Sequence, residues 1–241
     1  MTRWLFLGIV AAALGIGWVA WRQPRAAAAD DAWRRIAPGV EWRRLSRPFG
    51  AAIVAVRTEP ARVRVATGAA RAAEAWLAAT GAVAAINGGF FGEDGRPLGW
   101  RVGRGRTLSP RLQRDWGVFL VAGGRAAIRH TRQTSPLDAP DEAIQCGPRL
   151  VVEGRPVRLK PQLARRSGIG IQRDGRVVLA VSEAPIWLEE WAGVWGDRAG
   201  LDCVDALNLD GGGSTQLAIR VAGETVSVPG SWAVPDAIVV R

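Results

Sequence analysis

Two segments of the chain place a polar side chain at the end of an apolar run and follow it at once with glycines. "LNLDGGGSTQL", residues 207–217, brings Asp210 to the end of a predicted strand, and "AAINGGFFG", residues 84–92, does the same with Asn87. Glycine permits positive φ and lets the backbone approach a ligand closely. Successive amides that point one way form a concavity that binds anions. A tight turn needs only one or two glycines, so the third glycine and the two hydroxyls of "GGGST" favour a binding site over two simple turns.

A third segment supplies positive charge. In "KPQLARRSGIGI", residues 160–171, Arg165 and Arg166 stand directly before a predicted strand. A guanidinium at such a position binds phosphate through two parallel hydrogen bonds. The alternative is ordinary, because two arginines on a loop are common in a chain this rich in arginine.

Several other chemistries lack the residues that they need. His130 is the only histidine and no Gly-x-Ser-x-Gly elbow is present, so a Ser-His-Asp triad is excluded. A structural zinc site lacks ligands, and no Gly-Lys-Ser/Thr follows the glycines as in a P-loop. One carboxylate is a poor cage for a hard cation, and we predict neither a metal nor a cofactor. Carboxylates remain as the acid–base candidates, in the order Asp210, Glu183, Asp94, Asp202 and Asp205.

The N-terminus carries an apolar run, residues 4–21, with arginine on both sides. This length is long for the core of a signal peptide and near the lower limit for a membrane span. We expect residues 1–29 to be a signal peptide or an N-terminal membrane anchor with a linker. Residues 30–241 then form an exported domain, either periplasmic or anchored to the inner membrane and facing the periplasm.

The net charge and composition restrict the kinds of partner. The formal charge is +10, but the basic residues are scattered along the chain. A nucleic-acid binder carries a basic patch interleaved with aromatic residues, so we expect no nucleic-acid partner. With 48% hydrophobic residues the chain has enough apolar side chains to bury a core.

Most of the chain is typical of short strands. Alternating runs separated by glycine-containing turns predict hairpins at 116–130, 148–157 and 168–183. The runs at 51–58 and 61–68 flank a Glu-Pro pair and predict a fourth hairpin.

Two segments predict helices, residues 72–80, which stop at Gly81, and residues 187–201. These elements indicate the α+β class: a single domain with a large mixed, mainly antiparallel sheet flanked by a few helices, plus the N-terminal hydrophobic segment. Cys146 and Cys203 leave two possibilities, a disulfide in an oxidising compartment or two buried thiols.

The motifs, taken in order, resemble the phosphodiester glycosidase family over residues from about 40 to the C-terminus. They are "INGGFF", "GPRLV", "ARRSGIGI", "ALNLDGGGST" and "VPDAIVV". The chain is similar to a compact bacterial member of that family. The resemblance implies hydrolysis of a sugar-1-phosphodiester at its glycosidic C–O bond.

The resemblance also implies roles for individual residues. It assigns catalysis to Asp210, Arg166 and Asn87, with Asp210 as nucleophile, general base or orienting group. A serine, Ser167, replaces the usual threonine and keeps its hydroxyl. The second carboxylate of a catalytic pair is left unassigned. The substrate-binding candidates are Gly88, Gly89, Gly211, Gly212, Gly213, Ser214, Thr215 and Glu183.

Two further interpretations of the same residues remain open. One is a non-catalytic envelope module that binds phosphorylated glycans in the same cleft. The other is a structural envelope protein in which the glycine turns are only turns. For the hydrolase and for the binding module, the expected partner is a sugar phosphodiester or a phosphorylated glycan.

Overall fold

The computed structural model of the chain describes residues 32–46 and 51–241. The predicted signal or anchor segment, residues 1–29, lies outside the described residues. Within those that are described, no helix is both long enough and apolar enough to cross a membrane. In chain order the strands are β1 (Arg34–Ala37), β2 (Val40–Leu45), β3 (Ile53–Thr58), β4 (Val63–Arg71), β5 (Ala84–Asn87), β6 (Arg101–Gly103), β7 (Arg106–Ser109), β8 (Gly117–Ala122), β9 (Arg125–His130), β10 (Glu142–Cys146), β11 (Arg149–Val152), β12 (Arg155–Pro156), β13 (Leu163–Ala164), β14 (Ser167–Gln172), β15 (Val177–Ser182), β16 (Ile186–Trp187), β17 (Cys203–Asn208), β18 (Leu217–Val221), β19 (Glu224–Val228) and β20 (Val234–Val240), and the α-helices are α1 (Ala73–Thr80) and α2 (Leu188–Gly196).

These strands form three main sheets. The first has eight strands in the order β1-β2-β3-β15-β14-β17-β11-β12. The second is β7-β6-β10-β8-β9, the third is β19-β18-β5-β20-β4, and β13 and β16 pair separately. All the pairings between these strands are antiparallel. The predicted antiparallel architecture with a few helices is confirmed, but the strands are divided over three sheets and do not form one large mixed sheet.

The division follows from strands that are apolar on both faces. In β3, Val54 and Val56 face the central core, which all three sheets share. Ile53 and Ala55 face the opposite side, where α2 packs. Because side chains alternate across a strand, a sheet with two apolar faces needs a packed layer on each side. The other sheets supply one layer and the helices the other.

The two helices cover the outer faces of two sheets. Helix α1 packs Trp76 and Leu77 against Ala85 and Val239 of the third sheet. It ends, as predicted, at Gly81, which adopts the left-handed conformation with φ 63°. Helix α2 covers the eight-stranded sheet.

The glycines of the "GIGI" stretch serve this packing. A Cβ on Gly168 or Gly170 would lie 2.6 or 2.7 Å from ring atoms of Trp195. The indole of α2 therefore lies directly across the two glycines of β14, and the stretch positions the helix.

Three of the four predicted hairpins are confirmed. They are β8–β9, β11–β12 and β14–β15. The hairpin predicted over 51–58 and 61–68 is wrong, because β3 pairs with β2 and β15 whereas β4 pairs with β20. A 3-10 turn, Pro60–Arg62, carries the chain from the first sheet to the third. Alternation predicts a strand but does not specify its partner.

The two cysteines are buried free thiols. Cys146 lies in the central core, and Cys203 lies in the core beneath α2, on the other side of the eight-stranded sheet. Burial raises the pKa of Cys146 to about 12, and it also raises the pKa of Cys203. Of the two possibilities left by the sequence, the structure has the pair of buried thiols.

Candidate active site

The two glycine-containing segments meet where β5 and β17 end. The amide of Asp210 donates to the carbonyl of Gly88 at 3.2 Å. The Asn87 side chain donates from Nδ2 to the carbonyl of Asp210 at 2.9 Å. Segments that are more than a hundred residues apart in the chain therefore form one local structure, as their shared pattern predicts.

The buried side chain of Asn87 joins the two segments by hydrogen bonds. Its side chain is 1% exposed. Its Oδ1 accepts from Ser167 Oγ at 2.7 Å and from the Gln216 amide at 3.2 Å. Its Nδ2 also donates to the Gly88 carbonyl. Since both ends of the amide bond to protein groups, the structure places Asn87 as a positioning residue beneath Asp210.

The glycines of "INGGFF" allow the backbone to pass over a buried ion pair. Arg101 Nε and Asp236 Oδ2 are 2.5 Å apart, and both side chains are 0% exposed. A Cβ on Gly88 would lie 2.1 Å from Asp236 Oδ1, and one on Gly89 would lie 2.4 Å from Arg101 Nη2. Arg101 also donates to the carbonyl of Phe90 in the same loop. Neither charged residue is among those predicted from the sequence, although an acid inside the apolar strand "VPDAIVV" indicates one of them.

The three successive glycines meet two requirements, close packing and a left-handed backbone conformation. A Cβ on Gly211 would lie 2.9 Å from the Arg165 carbonyl oxygen. Gly212 has a φ of 61°, which side chains rarely adopt. A Cβ on Gly213 would lie 2.3 Å from Cη2 of Trp232. Close packing accounts for two of the glycines and backbone conformation for the third.

Most amides of this loop are directed into the protein. Four of them donate to groups of the loop or of its neighbour Arg165 at 2.8–3.2 Å, namely those of Gly211, Gly212, Ser214 and Thr215. These amides are therefore not free to bind an anion, and an anion bound at this site would need a side chain as its main donor. Arg166 lies beside the loop and carries such a side chain.

Among the residues that the structure describes, Arg166 is a buried cation without a counter-ion. It is 4% exposed, and no carboxylate of the described residues lies within ion-pair distance. Its terminal nitrogens donate to the carbonyl and side-chain oxygens of Gln162, and its Nε has no partner. Burial lowers its pKa. A buried charge without a partner is costly, and an anionic ligand would offset that cost. Its Nη1 lies 3.9 Å from the position that a Cβ on Gly211 would take, so the guanidinium is next to the glycine loop.

Asp210, the residue before Gly211, is half-buried, and its pKa is raised. Burial is the largest cause, and the negative charge of Asp236 adds to it. Hydrogen bonds from the Ser214 side chain and the Gly211 amide act in the opposite direction, as does the positive charge of Arg101. The carboxyl therefore holds its proton to a higher pH than an ordinary aspartate. Burial that shifts the pKa of a carboxyl in this direction is common for acid–base groups in active sites.

The other side chains predicted to bind substrate, those of Ser214, Thr215 and Glu183, have different surroundings in the structure. Ser214 is buried and its Oγ accepts from Trp232 Nε1 at 2.9 Å. Thr215 is fully buried and its hydroxyl has no partner. Glu183 pairs with Arg44, whose Nε lies 2.9 Å from Oε1. The carboxylate that acts on Asp210 by its charge is Asp236.

No group of three or more His, Cys, Asp or Glu side chains within 32–46 and 51–241 is arranged to hold a metal ion. The site as described consists of one half-buried carboxylate, one buried guanidinium and a serine between the carboxylate and an exposed indole.

We expect Ser214→Ala to raise the pKa of Asp210 further. The hydroxyl stabilises the ionised carboxylate by a hydrogen bond, and that stabilisation is lost in the variant. Carbon-13 NMR titration of the aspartate carboxyl groups measures the change. Ser227→Ala, which removes an exposed hydroxyl from β19, is the matched control and leaves the pKa unchanged. An unaltered Asp210 titration in Ser214→Ala contradicts this account of the site.

The three-sheet fold is shared with solved structures. The catalytic domain of zebrafish N-acetylglucosamine-1-phosphodiester alpha-N-acetylglucosaminidase matches with a TM-score of 0.69 at 15% identity, over 86% of this chain and 85% of that one. A Synechocystis protein described as hypothetical matches with a TM-score of 0.61 at 20% identity, over 85% and 63% of the two chains. A Burkholderia pseudomallei protein matches with a TM-score of 0.58 at 14% identity, over 79% and 74%. No curated protein sequence matches the chain closely enough to count as a relative.

Fold and site together define a class: an antiparallel domain in which two glycine loops meet at one carboxylate. A buried guanidinium lies beside them and pairs with no carboxylate of the described residues. The family model for phosphodiester glycosidases matches residues 80–241, well over half of the chain. The chain belongs to the phosphodiester glycosidase family, and the resemblance carried by its motifs is confirmed.

Proposed function

We propose that this protein is a hydrolase that cleaves the glycosidic bond of a sugar-1-phosphodiester in the cell envelope. Membership of the family supports a glycosidase-like hydrolase. The observation that carries the finer proposal is the buried guanidinium of Arg166, which has no carboxylate partner among the described residues and lies beside the Asp210 loop. That arrangement fits a substrate that brings its own negative charge next to the bond to be broken.

A sugar-1-phosphodiester already carries a good leaving group. A phosphomonoester leaves as a stable anion, so the leaving oxygen needs no proton from a general acid. Most glycosidases use two carboxylates, one of them as that acid. Here Asp236 is fully buried against Arg101, and of these two carboxylates only Asp210 is partly exposed. One carboxylate and one guanidinium therefore suffice for the proposed reaction.

The two groups have separate roles in this mechanism. Arg166 holds the phosphate and stabilises the charge that develops on it as the C–O bond breaks. Asp210 faces the positive charge that develops on the sugar, and attacks its anomeric carbon or takes a proton from the attacking water. Asn87 and the Arg101–Asp236 pair fix the loop that carries Asp210.

The cell envelope is part of the proposal because of the N-terminal sequence. The apolar run at residues 4–21 is typical of an exported or membrane-anchored protein. The substrate class is then a sugar phosphodiester or phosphorylated glycan of that compartment.

Arg166→Ala is expected to lower kcat/KM by about 10²–10³-fold, because one charged donor to the phosphate is removed. Arg166→Lys keeps the charge but loses the planar fork of the guanidinium. Its kcat/KM is expected to lie between those of the parent protein and Arg166→Ala. Steady-state kinetics on a sugar-1-phosphodiester measure the effect. Arg158→Ala, at an exposed arginine eight residues before Arg166, is the control and keeps full activity. A folded Arg166→Ala protein with full activity contradicts the assignment.

A screen of sugar-1-phosphodiesters with the purified protein tests the function itself, with and without a chelator. We expect release of the free sugar with the chelator present as well as without it. Binding of a sugar phosphate without turnover would instead favour the non-catalytic module, and neither binding nor turnover would leave the glycine loops as structural turns.

A further inference from the structure

One exposed aromatic side chain lies directly on the Asp210 loop. Trp232, in the connection between β19 and β20, is 56% exposed. Its indole lies over Gly213, where a Cβ would be 2.3, 2.5 and 2.6 Å from three adjacent ring carbons. Three nearly equal distances mean that the ring meets Gly213 with its face. We infer that the exposed surface of Trp232 is mainly the ring face directed away from Gly213.

The exposed ring is held in place at several points. Its Nε1 donates to Ser214 Oγ at 2.9 Å. The amide of Ser231 donates to the Gly213 carbonyl at 2.8 Å, and Gln216 Nε2 donates to the Trp232 carbonyl at 3.0 Å. Arg165 Nη1 donates to the carbonyl of Pro229 at the start of the same connection. A surface tryptophan with this many fixed contacts is a preorganised ligand surface.

Hydrogen bonds also connect this ring to the reacting carboxylate. The Ser214 hydroxyl that accepts from Trp232 is the one that lowers the pKa of Asp210. The indole, Ser214 and Asp210 therefore form a short chain of contacts. One hydroxyl group therefore separates the carboxylate from the edge of the ring.

We propose that the open face of Trp232 is the platform on which the sugar ring of the substrate stacks. A pyranose presents a face of C–H bonds that complements the electron-rich face of an indole. Stacked there, the sugar has its anomeric carbon near Asp210 and its phosphate toward Arg166. This inference rests on the proposed function, since it names the sugar-binding part of the same site.

The first arm of the test is kinetic. Trp232→Ala is expected to raise KM for a hydrolysed sugar-1-phosphodiester by roughly tenfold to a hundredfold, the scale of stacking on an aromatic side chain. Trp232→Phe keeps an aromatic face, so its KM is expected to stay close to that of the parent protein. The N–H that donates to Ser214 is lost, which changes kcat and its pH profile. Trp33→Phe, at a ring held between Arg43 and Arg57, is the control and changes neither. An unchanged KM in active Trp232→Ala overturns the proposal.

The second arm does not depend on turnover. The protein is labelled with 5-fluorotryptophan, and the Trp232 fluorine resonance is the one that is missing from Trp232→Phe. Titration with N-acetylglucosamine 1-phosphate or glucose 1-phosphate is expected to shift that resonance, whereas inorganic phosphate is not. The other tryptophans of the 12 in the chain are the internal control.

The two arms separate the platform from the reaction. A shifted Trp232 resonance without hydrolysis of any phosphodiester supports the platform and overturns the hydrolase. Hydrolysis with no shift for either sugar phosphate, or the same shift with inorganic phosphate, overturns the platform and leaves the hydrolase standing.

Discussion

Asp210→Asn is expected to abolish sugar release from a sugar-1-phosphodiester while the protein stays folded. We expect kcat to fall by at least ~10²–10⁴-fold, the range for loss of a group that attacks or transfers a proton in the transition state. Asparagine keeps an oxygen that can accept from the Gly211 amide, which Asp210 does at 3.0 Å, so the loop is retained. The charge is lost, and with it both the nucleophile and the base.

The matched control for this result is Asp205→Asn. Asp205 is also a carboxylate whose pKa is raised mainly by burial, and it lies on β17, five residues before Asp210. Its Oδ1 accepts from the Glu153 amide, away from the glycine loops. Full activity in Asp205→Asn together with near-full activity in a folded Asp210→Asn would remove Asp210 from catalysis and leave it as a loop-holding group.

Asp236→Asn has the largest expected effect on stability. The substitution leaves the guanidinium of Arg101 buried without its counter-ion, which costs about 3–5 kcal/mol of unfolding free energy. For a chain of this size that corresponds to a fall in melting temperature of roughly 6–20 °C. Chemical denaturation followed by circular dichroism measures the loss.

An exposed pair gives the comparison for this second prediction. Asp174→Asn breaks the pair with Arg176, whose two side chains are 49% and 33% exposed. Exposed pairs contribute less than about 1 kcal/mol, so this variant is expected to stay close to the parent. Equal losses in the two variants would show that the Arg101–Asp236 pair does not anchor the "INGGFF" loop.

The parts of the fold that the sequence predicted are those set by local chemistry. The hairpin at residues 168–183 follows from an Asp-Gly turn between alternating runs, and the end of α1 follows from Gly81 in the left-handed conformation. Both depend on residues that are neighbours in the chain. The pairing of β4 with β20 does not, and there the sequence prediction was wrong.

The candidate site shows the same division. Glycines after a polar residue located both loops, and Arg166 was found from its place before a strand. The Arg101–Asp236 pair joins residues 135 positions apart, and nothing near either residue indicates the other. Sequence also could not show why each glycine is needed, because the atoms that exclude a Cβ belong to distant segments, such as the ring of Trp232 over Gly213.

The bond that is broken tests the central claim most directly. The purified protein is incubated with a sugar-1-phosphodiester in water enriched in oxygen-18, and the phosphomonoester product is examined by phosphorus NMR. Cleavage of the glycosidic C–O bond, as the Asp210 and Arg166 geometry predicts, leaves the phosphate free of the label. Oxygen-18 in the phosphate would show attack at phosphorus and contradict the account, as would the absence of any turnover.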